Sequence, residues 1–226
     1  MGRVFVCGAC HRWGDLEKFN DENFPIVNDL TKDDVMIVAG DWGAIWWGDE
    51  DDDIILKWWE DNPWTTLVVL GNHENYNAIE KLPIVEKFGG KCYQVSKSVF
   101  ITFKGEVYNI AGKSILTLGG ADSIDKHLRI KDVDWWEQES ITQKDFNNAL
   151  NNLERYNYDV DYFITHTGGG EVVKFLGFNP FPSDKYVDFI LNSLSPRTHH
   201  YCAHYHDDMI VNLRSKILYD AIVELI

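Results

Sequence analysis

The sequence predicts an α/β fold on three observations. Short apolar runs of strand length recur along the chain, helix-like stretches separate them, and several runs end in Gly, Asn or His. The runs are residues 4–6, 35–39, 67–70, 115–118 and 162–164. They read as buried strands with loops at their C-terminal ends.

Taken in order, the first run leads into Gly8-Ala9-Cys10-His11 and the second into Gly40-Asp41. A helix is expected over residues 52–61, with Ile54, Ile55, Trp58 and Trp59 on one side. The acidic run 49–53 before it reads as a solvated helix start, where carboxylates suit the positive end of the dipole. The third run ends in Gly71-Asn72-His73-Glu74. Residues 92–119 then alternate in three strand-like segments, 98–103, 106–110 and 113–118, punctuated by Lys104-Gly105 and Ala111-Gly112; they predict a meander of adjacent antiparallel strands. Helices are expected over 142–155 and 183–194. Between them the run 162–164 is followed by Thr165-His166 and by Gly168-Gly169-Gly170, which reads as a tight turn. From His199 onward, short strands around Asp207-Asp208 and Arg214-Ser215 imply a second, partly antiparallel sheet. One domain over residues 1–226 is expected from the length.

Composition narrows the function classes. A net charge of −15 argues against a protein that wraps duplex nucleic acid, because that binding needs a Lys/Arg surface. Small phosphorylated substrates are easier to accept. No apolar run approaches the ~20 residues of a membrane helix, and the apolar stretch 4–6 is too short for a secretory leader, so no membrane partner and a cytoplasmic location are expected. Among Cys7, Cys10, Cys92 and Cys202 only one CxxC occurs, which argues for reduced structural thiols over a zinc knuckle.

The chemistry lies in the polar groups placed just after the strands, completed by Ala203-His204-Tyr205-His206. In an open α/β sheet such loops converge on one crevice. Imidazole and carboxylate together suit Zn, Mn, Fe and similar ions. Of the eight histidines, His11, His73, His166, His204 and His206 fall in these groups, leaving His127, His199 and His200 as structural or surface residues.

The ordered set Ala9-Cys10-His11, Gly40-Asp41, Gly71-Asn72-His73-Glu74, His166 and Ala203-His204-Tyr205-His206 resembles the calcineurin-like metallophosphoesterases. The segments Gly40-Asp41-Trp42-Gly43-Ala44-Ile45-Trp46 and Gly119-Gly120-Ala121-Asp122-Ser123-Ile124-Asp125-Lys126, with Trp135-Trp136-x-x-Glu139, look like a bacterial and phage subgroup. The resemblance implies a four-layer α/β/β/α sandwich of two mixed sheets with the site at strand C-terminal ends. It implies two divalent ions, Mn first, with Fe, Zn, Ni or Mg as alternatives. Asp41 would bridge both ions, Asn72, His166 and His204 would complete the second site, and His11 and His206 would belong to the first. His73 would be the general acid of a phosphodiester or phosphomonoester hydrolysis, the substrate a small nucleotide.

Two departures qualify that picture. Ala9 stands where the family has an Asp ligand, which leaves the first site short of a carboxylate; the change fits either deliberate inactivation or a natural degenerate member, and the former is the more consistent with an otherwise intact set. Ala44 stands where phosphoprotein phosphatases orient the catalytic His, and their phosphate-gripping Arg is absent. His73 then needs another orienting partner, Glu74 or a backbone carbonyl, and Arg12 and Arg129 are the candidates for gripping phosphate. A phosphoprotein phosphatase and a non-catalytic phospho-ligand binding protein are the competing readings.

Overall fold

The computed structural model describes residues 2–226. Its elements are β1 (Val4–Cys7), β2 (Val35–Ala39), α1 (Glu50–Asp61), β3 (Thr65–Val69), α2 (Tyr76–Ile79), β4 (Ile84–Lys87), β5 (Gly90–Gln94), β6 (Val99–Thr102), β7 (Glu106–Ile110), β8 (Lys113–Leu118), α3 (Gln143–Glu154), β9 (Tyr162–Thr165), α4 (Gly169–Phe175), α5 (Asp184–Ser193), β10 (His199–Cys202), β11 (Met209–Ile210), β12 (Ser215–Ile217) and β13 (Ile222–Glu224).

Two mixed sheets lie between flanking helices. The first runs β13-β1-β2-β3-β6-β5-β4 and the second β11-β12-β10-β9-β8-β7. The centre of each is parallel, β1-β2-β3-β6 and β12-β10-β9-β8, with antiparallel strands at the margins. Alternation along each strand makes the layers. Val4, Val6, Ile37, Leu67 and Val69 face Ile115, Ile164 and Tyr201 between the sheets. The opposite set, Phe5, Met36, Val38 and Val68, packs under Ile55 and Trp59 of α1. Leu116, Leu118 and Phe163 of the second sheet pack under α3 and α5 through Ala149, Leu153, Val187 and Ile190.

Local sequence explains the helix starts. Asp49 caps α1 by accepting from the Asp52 amide, and Thr142 with Asp145 forms a reciprocal capping box on α3. Burying Ile55 contributes about 1.5–3 kcal/mol, whereas Ile54 faces solvent, contrary to its expected place beside Ile55.

Three local expectations need correction. The meander is not one sheet: β6 pairs with β3 and β5, and the chain then crosses to the second sheet before the β7-β8 hairpin. Gly105, at φ +82°, makes the crossing possible, because a Cβ there would strike the backbone of Asp145 and Ala149 in α3. Ala111 and Gly112 both take positive φ, the requirement of a tight two-residue hairpin turn. The triple glycine is a helix start, with Gly169 and Gly170 inside α4. Finally, β4, β5 and β13 exist where no strand was expected or only its edge was seen.

All four cysteines are free and buried. His200 is a buried structural histidine. The Thr165 hydroxyl donates to the Thr167 carbonyl (2.6 Å), so it accepts from His200 Nε2 (2.9 Å), while Nδ1 accepts from Ser215 Oγ (3.1 Å). Burial, aided by Arg214, pushes its pKa down to about 3, below the unfolded value of ~6.5. The unfolded chain therefore binds the extra proton first, and this contribution to stability is full above pH ~6.5 and is lost as pH falls toward the folded value. His200→Gln is expected to flatten the acid limb of stability against pH, read from urea unfolding between pH 4 and 7; an unchanged slope would contradict the assignment.

No helix among the described residues is long and apolar enough to cross a membrane.

Candidate metal centre

The strand-end loops converge at one rim. Cys10 and His11 both donate their amides to the Asp41 carbonyl, at 3.0 and 2.8 Å, and Arg12 donates to the Trp42 carbonyl at 3.0 Å, laying the loop after β1 on the loop after β2. The His73 amide donates to Asp41 Oδ1 (2.8 Å), which ties in the loop after β3. Gly40 and Gly71 are required by contact: a Cβ on the first would enter the His166 ring, and one on the second would meet Asp41 Oδ1.

Two triads share one carboxylate. His11, Asp41 and His206 have ligand-type atoms mutually within 4.8 Å, and so do Asp41, His166 and His204. Asp41 divides its oxygens between them: Oδ1 lies 3.2 Å from His166 Nε2 and Oδ2 lies 3.5 Å from His11 Nε2. Asn72 Oδ1, 3.1 Å from His166 Nε2, joins the second group. Thus all six expected ligands come together, three around the first position and four around the second, with Asp41 counted in both. Four of them, His11, Asp41, His204 and His206, hold positive φ (37°, 48°, 73° and 52°). Such backbone costs about 1–3 kcal/mol per residue and persists where the surroundings impose it.

The tautomers test whether a cation fits. His166 Nδ1 donates to the Ala39 carbonyl (2.8 Å), so in the neutral ring Nε2 carries only a lone pair. That lone pair faces the oxygens of Asp41 and Asn72, three acceptors converging with no donor among them. A positive charge has to sit there, either a proton on the ring or a metal ion. Burial lowers the His166 pKa, but Asp41 and the Ala39 carbonyl outweigh it and raise it above the ordinary value. His204 offers a second imidazole that burial, with His166 beside it, drives down to about 3, which keeps it neutral and able to ligate. The donor set fits a divalent ion of the Mn, Fe or Zn type.

His11 repeats the device. Its Nδ1 donates to Asp15 Oδ2 at 2.6 Å, and Asp15 Oδ1 accepts from the Tyr219 hydroxyl at 2.9 Å, which points Nε2 at Asp41. Asp15 escaped the sequence reading, since a carboxylate four residues after a histidine on an irregular loop carries no motif. A carboxylate behind a ligating imidazole fixes its tautomer and raises its basicity. Asp15→Asn keeps an acceptor but removes the charge, and is expected to weaken Mn(II) binding at the first position about tenfold to a hundredfold with the second position unchanged, measured by Mn(II) titration.

Other expected residues fall as follows. Ala9 is fully buried, and its carbonyl accepts from the buried Lys18 Nζ at 2.6 Å. Arg12 is held by Asp52 at 2.5 Å, with Asp49 at 3.9 Å, so its charge is already compensated. The acidic run is accordingly not wholly solvated: Asp52 is buried and also accepts from the amides of Trp46 and Gly48. Arg129 stands at the site, its Nη2 3.3 Å from His73 Nε2 and its guanidinium paired with Asp125. Since Arg only donates, His73 Nε2 is an acceptor in this arrangement. Burial lowers the His73 pKa, Asp41 opposes, and Arg129 lowers it further. Glu74 does not orient His73; its carboxylate accepts from the amides of Trp42, Gly43 and Gly71, and burial beside Asp41 pushes its pKa up to about 7.

A two-sheet sandwich carrying this histidine-rich, carboxylate-bridged cluster at one rim belongs to the class of metal-dependent hydrolase scaffolds. The family model for calcineurin-like phosphoesterases matches residues 2–208, and the chain belongs to that family. No curated protein matches it. Among solved structures, the protein of unknown function AQ665 from Aquifex aeolicus is similar over 74% of this chain and 81% of its own, with 14% identity and a TM-score of 0.35.

Proposed function

We propose that the protein is a dinuclear-metal phosphoesterase that hydrolyses a small phosphodiester or phosphomonoester, a nucleotide by preference, with Mn(II) as the metal. The observation that carries this reading is the division of the Asp41 oxygens between two histidine pairs. Two neighbouring cations would repel unless an anion were shared between them, and Asp41 is the residue common to both groups. Bound there, divalent ions would supply Lewis acidity toward a phosphoryl group and a water made nucleophilic at neutral pH.

The remaining steps belong to side chains of this chain. Asp41, Asn72, His166 and His204 hold the complete position, and His11 and His206 with Asp41 hold the one that lacks a carboxylate at Ala9. Arg129, held by Asp125 beside His73, supplies a positive charge for the non-bridging phosphate oxygens. As the phosphate draws the guanidinium off His73 Nε2, that nitrogen can take a proton from solvent and pass it to the leaving oxygen. The lack of the phosphatase Arg and of an orienting Asp at Ala44 favours diesters. The net charge of −15 disfavours duplexes, and Trp13 and Trp47, both exposed, supply faces on which a base can stack.

The test is hydrolysis of bis-p-nitrophenyl phosphate and p-nitrophenyl phosphate with Mn(II), by the chain as it stands and by its Ala9→Asp form. Metal-dependent turnover, faster on the diester, is the expected result. Absence of hydrolysis by both forms, with tight retention of a nucleotide, would replace the enzyme reading by that of a binding protein.

A further inference from the structure

His204 and His206 are two residues apart in sequence yet belong to different groups around Asp41. The His204 ring meets that of His166 at 4.9 Å between centroids, and the His206 ring meets that of His11 at 4.6 Å. Both histidines hold left-handed backbone, at φ 73° and 52°, which residues other than glycine seldom take unless the surroundings impose it. The residue between them is Tyr205.

Backbone groups fix the ends of this turn. The Ala203 amide donates to the His166 carbonyl at 3.0 Å, and the Tyr205 amide donates to the Ala203 carbonyl at 2.9 Å. Beyond His206, the Asp208 carboxylate accepts from the amides of Tyr219, Asp220 and Ala221 at 2.8, 3.0 and 3.1 Å, and the Tyr219 ring lies face to face with His206. In the middle the hold is a side chain. The Tyr205 ring packs beside Val172, Cys202 and Ile217, and its hydroxyl reaches the loop after β9. There it accepts from the Gly168 amide at 3.0 Å and lies 3.1 Å from Thr167 Oγ1.

Counting protons gives the direction of that second bond. Thr167 Oγ1 has one proton, and the Asp184 carboxylate takes it at 2.9 Å. Asp184 is itself fixed at the start of α5, its other oxygen accepting from the Phe181 amide at 2.8 Å. Thr167 Oγ1 is left to accept, so the Tyr205 hydroxyl donates to it. Thr167 and Asp184 are 2% and 3% exposed, so water competes little for these bonds.

We propose that Tyr205 is a positioning residue of the metal centre, its hydroxyl pinning the turn that sends His204 to one group and His206 to the other. A packed ring can tilt among apolar neighbours, but two directed hydrogen bonds at its tip hold it in one pose. With Tyr205 held, the backbone on either side has no room to relax out of its left-handed conformation. The inference rests on the reading that these histidines hold divalent ions, and one arm of its test does not.

Tyr205→Phe keeps the ring and removes the hydroxyl, and Thr167→Val removes the acceptor. In the metal-free protein, the imidazole Hε1 resonances of His204 and His206, assigned by their disappearance in His204→Gln and His206→Gln, are expected to be single. Both variants should shift or split both resonances, whereas Thr167→Ser, which keeps the hydroxyl, should leave them in place. His206 lies in the ring current of Tyr219, so a small tilt registers. The second arm is equilibrium dialysis with Mn(II) alone. In Tyr205→Phe and Thr167→Val the Asp41/Asn72/His166/His204 position should lose about tenfold to a hundredfold in affinity, the range for residues that support a metal ligand. Unmoved resonances, or a change confined to one histidine, would overturn the proposal. So would unchanged Mn(II) affinity, even with a lowered thermal midpoint, the mark of a merely structural contact. A parent protein that binds no Mn(II) would overturn the metal reading alone, and the imidazole resonances would still decide the role of Tyr205.

Discussion

Asp41→Asn is expected to abolish divalent-metal binding at both positions in one step, and hydrolysis with it. Asp41 is 1% exposed and gives one oxygen to each histidine pair, so the variant removes the charge that both ions share. At an effective permittivity of ~20, one unit charge pair at 4 Å is worth about 4 kcal/mol. For a dication the loss is larger, so at least about a thousandfold in affinity should go from each position. The metal-free parent should gain several degrees of thermal midpoint on saturation with Mn(II), because a ligand that binds only the folded state stabilises it. In Asp41→Asn that shift should vanish while the metal-free protein still folds. A variant that kept one tight Mn(II) and its thermal shift would show that Asp41 serves only one ion.

Ala9→Asp is expected to act in the opposite direction. The second position already has Asp41, Asn72, His166 and His204, whereas the first has His11, His206 and the shared carboxylate. A carboxylate at residue 9 would complete the first set and bring the Mn(II) stoichiometry from one tight ion to two. Turnover of the p-nitrophenyl diester should rise by roughly a hundredfold or more, about 2.7 kcal/mol of transition-state stabilisation. The same change should destabilise the metal-free protein, since residue 9 is fully buried and an unpaired interior carboxylate costs several kcal/mol. Lys18, already against the residue 9 carbonyl, offsets part of that cost. Thermal midpoints should therefore cross, with the variant below the parent in chelator and above it in Mn(II). Two tight ions in the unaltered chain would refute the premise that Ala9 weakens the first position.

The central strands were legible because a strand buried on both faces is almost wholly apolar, as in Val35–Ala39, whose bounds agree with the structure. The marginal strands were not. Ile84–Lys87 alternates half-exposed and exposed residues at the sheet edge, and its polar half hides it. The meander failed for a different reason: adjacency in sequence is a good guide to pairing only when the chain stays in one sheet, and Gly105 lets it leave. At the site, the residues that gather around Asp41 were legible, since Asn and His at strand ends need a chemical reason. Their supporting residues were not. Asp15, Thr167 and Asp184 are ordinary polar residues until the fold sets them behind His11 and Tyr205. Arg12 illustrates the converse, a promising cation beside a ligand that Asp52 had already claimed.

The pairing of the last strand with the first has a consequence for how the protein comes into being. β13 lies antiparallel to β1, clasped by the bidentate pair of Arg3 with Glu224, and Gly8 passes against the backbone of Leu218. His11 and His206, members of one group around Asp41, are therefore brought together by contacts between segments some 200 residues apart in sequence. Contacts of such separation are made late, because the entropy of closing the loop must be met first. On the ribosome, a nascent chain that has emerged only as far as α5 would expose the free edge of β1 and hold His166 without His204. Both groups of side chains around Asp41 are thus complete only when residues 204–206 have folded back against the loops after β1 and β2.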